Sequence, residues 1–114
     1  MRLTFLFNGL VQLIISIGLY MNMIEMGLGN RIPALALAVL AIISLLFYKN
    51  YQESDLSRYV FLSFMFYNAA SAMISYSSSP ESFPLHRSFT LIHLALFVIF
   101  FMSYMKSIKS HDFQ

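Results

Sequence analysis

The chain has 114 residues, 59% of them hydrophobic and only 11% charged, with a mean hydropathy of +0.71. A soluble domain of this length leaves too much surface in water to hide that much apolar area, so the composition points to lipid as the solvent. The net charge of +2 comes from singly scattered Lys and Arg, which argues against a nucleic-acid partner, and the absence of Cys excludes disulfides, thiol nucleophiles and thiolate metal sites.

In chain order, four segments approach the roughly 20 apolar residues that a helix needs to cross about 30 Å of hydrocarbon. The first covers residues 3–28. Met1-Arg2 ahead of an apolar run has the look of a signal peptide, but no Ala-x-Ala site interrupts the run, so an uncleaved span is expected. Gly27, Gly29 and Asn30 tolerate the left-handed conformation that closes a helix. The second segment, 32–48, opens with Pro33, whose missing N–H costs nothing in a first turn. A polar stretch over 50–55 leads to the third, 58–77, with Ser57 as its expected N-cap. Residues 77–87, holding Pro80 and Pro84, read as a loop, and Ser88 is the expected cap of the fourth segment, 88–105. No internal repeat is evident. The expected fold is all-α: a single transmembrane domain over residues 1–114, forming a four-helix bundle with short loops.

Four spans put both termini and the middle loop on one side. That side carries Arg2, Lys49, Arg58, Lys106 and Lys109, and the other only Arg31 and Arg87, so the positive-inside rule predicts cytoplasmic termini. A bacterial inner membrane is the expected location. Tyr48, Tyr51, Tyr59 and Tyr104 near one boundary, with Tyr20 and Tyr76 near the other, fit an aromatic belt.

Polar side chains show which faces turn inward, because a polar group left in hydrocarbon without a partner is costly. Thr4, Asn8, Gln12, Ser16 and Asn22 fall within an arc of about 120° on the first helix. Asn68, Ser71, Ala72, Ser75 and Ser79 do the same on the third, and Ala34, Ala38 and Ala41 give the second a small-residue packing surface. On the fourth, Thr90, His93, Phe97, Phe100 and Tyr104 share a face.

Asn8, Gln12 and Asn68 read first as hydrogen-bond glue between helices and second as the lining of a solute or ion path. His93 is the titratable group expected inside the hydrocarbon, a functional hypothesis by default, set against a neutral core histidine bonded to Asn68 or a serine. Glu25, Arg31 and Arg87 are outer-rim charges, with Glu25 expected to pair with Arg31, Arg87 or His86.

The three His, at 86, 93 and 111, are dispersed, and no carboxylate joins them, so no metal and no cofactor are expected. Nucleophile motifs and a glycine-rich phosphate loop are missing too, which argues against an enzyme. The leading expectation is a small polytopic protein acting by helix–helix contact, as an accessory subunit or an inhibitor or immunity-type factor of another membrane protein. The alternative is a homodimeric transporter or channel for a small solute, protons or ions, with His93, Glu25, Asn68 and Gln12 on its path. The expected partners are membrane lipid and either another membrane protein or a second copy of the chain. A weaker third reading is a lipid-binding scaffold using Arg31, Arg87 or the cytoplasmic Lys residues.

Overall fold

The computed structural model describes residues 1–21, 31–83 and 85–112. Asn22, expected on the inward stripe, Glu25, expected as a rim charge, and Gly27, Gly29 and Asn30, expected to end the first span, lie outside the described residues. The chain forms four helices: α1 (Arg2–Tyr20), α2 (Arg31–Lys49), α3 (Asp55–Ser77) and α4 (His86–Asp112), with one 3-10 turn at Pro80–Ser82.

Two helix starts differ from expectation. Ser54, not Ser57, caps α3: its backbone is extended and its Oγ accepts from the Ser57 N–H at 3.2 Å. The Ser57 hydroxyl is engaged elsewhere, donating to the Gln52 carbonyl at 2.7 Å, so the earlier serine takes the cap and Asp55 enters the first turn, where the helix dipole favours a carboxylate. α4 begins at His86, directly after Leu85, which holds a left-handed φ of 47°. Ser88 therefore lies inside the first turn, and the helix runs on past Lys106 and Lys109. Pro33 is the third residue of α2, still within the turn whose N–H groups lack helical partners.

Among the described residues, α1, α2 and the 86–109 stretch of α4 are long and apolar enough to cross a membrane, which is compatible with an integral membrane location. α3 is as long, at 23 residues, but Asp55, Arg58, Asn68 and its serines make it less apolar.

The helices pack as two pairs, α1 with α2 and α3 with α4. Within α1–α2 the contact runs through Gly9, Ala34, Ala41 and Ser44, small residues that let backbones approach and gain dispersion contact. Between the pairs the gap is wider and aromatic rings fill it. Phe5 meets Phe61 edge-on with centroids 5.6 Å apart and Phe64 at 6.3 Å, while within the α3–α4 pair Phe61 meets Phe100 at 4.7 Å. These rings form a core with Met65 near one end of the bundle. Ile15, Leu19, Ala34 and Leu37 form a smaller cluster toward the other end. At the aromatic end the Arg2 Nε–H donates to the Tyr48 carbonyl at 3.0 Å, and its guanidinium lies 4.9 Å from the Tyr48 ring centre, tying the start of α1 to the end of α2. α1 is the hub: half of its apolar window is buried, against 17% for α2 and 22% for α4.

Candidate functional site

One face of α1 carries Thr4, Asn8, Gln12 and Ser16 at intervals of one turn, and all four are buried. Asn8 joins three helices. Its Nδ2 donates to Ser44 Oγ on α2 at 3.2 Å, and its Oδ1 accepts from Asn68 Nδ2 on α3 at 3.2 Å. Ser44 passes its own proton to the Phe5 carbonyl at 2.6 Å, and Asn68 also donates to the Phe64 carbonyl at 2.8 Å. One turn on from Gln12, Ser16 donates to the Ala34 carbonyl at 2.6 Å, where α1 meets α2 again.

Gln12 reaches α4. The His93 Nδ1 lies 2.8 Å from the Phe89 carbonyl, which only accepts, so Nδ1 carries the proton and Nε2 presents a lone pair. Gln12 Nε2 donates to that lone pair at 3.2 Å. The imidazole stacks on Phe89 with centroids 4.1 Å apart, and Tyr67 meets it edge-on at 6.2 Å. His93 is fully buried, and its partner is Gln12 rather than the expected Asn68 or serine.

The layer has a surplus of acceptors. Gln12 Oε1 and Asn68 Oδ1 are buried without a hydrogen-bond partner. Turning either amide over does not help. A reversed Gln12 aims its oxygen at the His93 lone pair, and a reversed Asn68 aims its oxygen at two other oxygens.

Other predicted residues fall as follows. Ser75 is buried and pairs with Thr90 at 2.6 Å across α3–α4, Ser71 is half-buried, and Ser79 is exposed beyond the end of α3. Arg31 and Arg87 are exposed at the starts of α2 and α4. Ser44 was not foreseen in the sequence. Its signal was present in the 3-4-3 spacing of Ala34, Leu37, Ala41 and Ser44, all of which are buried. Among the described residues no group of three or more His, Cys, Asp or Glu could hold a metal ion.

Among the described residues, clefts at the surface include three. One of about 270 Å³ lies at the α2–α3 turn, lined by residues including Phe47, Asn50 and Ser57. One of about 560 Å³ lies where α3 ends and α4 begins, lined by Tyr76, His86, Arg87, Thr90 and Leu91. One of about 210 Å³ forms a seam between α2 and α3, lined by Leu40, Ile43, Val60, Ser63, Phe64 and Tyr67. Asn8, Gln12, Asn68 and His93 line none of them. Compared with known protein families, curated proteins and solved structures, the chain gives no match.

Proposed function

We propose that this protein crosses a bacterial inner membrane four times, with both termini in the cytoplasm, and works by helix–helix contact as an accessory subunit or as an inhibitor or immunity-type factor of another membrane protein. The observation that carries this reading is the contrast between polar side chains that turn toward one another inside the bundle and a seam whose walls are apolar and open. Asn8, Gln12, Ser16, Asn68 and His93 spend their hydrogen bonds inside the bundle. The α2–α3 seam is left with apolar walls, suited to the side chains of a further transmembrane helix.

A fourth crossing is supported by the bonds that α3 makes. Asn68, midway along it, meets Asn8 midway along α1, and Ser75 meets Thr90 on α4. A helix held along its length by two spanning neighbours shares their depth in the bilayer. Cytoplasmic termini are supported by Arg2, Lys49, Arg58, Lys106 and Lys109, which belong to the helix ends around the aromatic core. Three of the path residues that transport would use, Gln12, Asn68 and His93, are fully buried and line none of the clefts described, which favours helix contact over transport.

A photocrosslinking amino acid placed at Ile43 or Val60, in the seam, should join the protein to a different membrane protein in native cells. The same probe at Ile14, exposed elsewhere on the surface, should not. Adducts only between copies of this chain would support the homodimer instead. No adduct from the seam would remove the proposal.

A further inference from the structure

We propose that the cleft between the end of α3 and the start of α4 binds the headgroup of an anionic phospholipid. It is the largest of the three clefts described, at about 560 Å³. Its walls are held in place: His86 Nε2 donates to the Ser78 carbonyl at 3.0 Å, and Thr90 Oγ1 donates to the His86 carbonyl at 3.0 Å while meeting Ser75 Oγ at 2.6 Å. With those groups engaged, the outward-facing polar groups of the lining are the Arg87 guanidinium and the phenol of Tyr76, whose residue is 77% exposed.

Charge selects an anion. Arg87 brings a full positive charge to the first turn of α4, and the first helical bond there runs from the Phe89 N–H to the Leu85 carbonyl at 2.7 Å. No backbone bond to a described residue is made by the N–H groups of His86 and Arg87 in this first turn, an arrangement that favours phosphate oxygens. Glu81, in the neighbouring turn, is not part of the lining.

The apolar surface selects a lipid over a soluble phosphate. Leu91 lies one turn along α4 from Arg87 and is 65% exposed, with Leu94, also exposed, a further turn along the same helix. A free phosphate makes no use of that surface, whereas an acyl chain attached to the bound headgroup covers it. Tyr76 at the rim has the amphipathic ring found at headgroup depth. The inference rests on the membrane location proposed above.

The test is native mass spectrometry of the detergent-solubilised full chain, titrated with phosphatidylglycerol, phosphatidylcholine and glycerol phosphate. Phosphatidylglycerol should be retained over the other two. Arg87→Gln should weaken its binding about fivefold, the contribution of one cation at headgroup level, and Arg87→Lys should recover part of the loss. Arg31→Gln, outside the cleft, should leave binding unchanged. Leu91→Ser, a second variant that keeps the charge, should weaken phosphatidylglycerol and not glycerol phosphate. Equal binding by wild type and Arg87→Gln, an equal loss from Arg31→Gln, or glycerol phosphate binding as tightly as the lipid would overturn the site. Recovery of the protein in the soluble fraction before lipid is added would instead remove the membrane location on which it rests.

Discussion

His93 donates from Nδ1 to a carbonyl of its own helix, and that one bond decides the chemistry of its other nitrogen. With Nδ1 protonated, the neutral ring offers Nε2 as an acceptor, and an amide donor is the natural match in a place where water is scarce. In protein labelled with nitrogen-15 at histidine, NMR should therefore find one buried imidazole protonated at Nδ1 and bare at Nε2, and Gln12→Leu should move the Nε2 resonance most. The opposite tautomer in wild type would sink the Gln12–His93 assignment. That Asn8, Gln12 and Asn68 turn inward was legible from their helical spacing. Which of them meets His93 was not, because spacing on one helix says nothing about its rotation against another.

α1 and α2 approach closely where α1 has no side chain. A Cβ added at Gly9 comes within 2.7 Å of Leu45 Cγ and Cδ2 and 3.3 Å of the Ala41 carbonyl oxygen. Gly9→Ala therefore requires Leu45 to move or α2 to back away, at a cost of about 1–2 kcal/mol in detergent unfolding. Combining it with Leu45→Ala should recover most of that loss. If the double variant remains as unstable as the sum of its parts, the obstacle is the α2 backbone and not the Leu45 side chain. Helix existence was readable from apolar runs of near-spanning length. The starts of α3 and α4 were less so, since Ser54 and Ser57 are both competent caps and only the loop bond from Ser57 to Gln52 separates them.

For the whole molecule the open quantity is parity. If α3 crosses along with α1, α2 and α4, both termini share a side; if it does not, they are on opposite sides. A fluorescent-protein fusion at the C-terminus should fluoresce and a phosphatase fused after Ser79 should be active, as expected of four crossings with cytoplasmic ends. A phosphatase active at the C-terminus would overturn either the span number or the orientation, and a fusion at the N-terminus tells which. The length agrees with a spanning bundle: its long axis measures 49 Å, enough for the hydrocarbon and both headgroup layers.

The sequence alone determined that this chain is helical, apolar over lengths that can cross a membrane, and striped with polar residues on α1 and α3, because composition and a 3.6-residue period are local properties. Only the tertiary structure decided that the stripes close on one another through Asn8, Ser44, Asn68, Gln12 and His93, and that a seam between α2 and α3 stays open. Those outcomes depend on how far apart the helices settle. Gly9 and Ala41 where α1 meets α2, and Phe5 and Phe61 where α1 meets α3, set that distance jointly, and no single segment contains both.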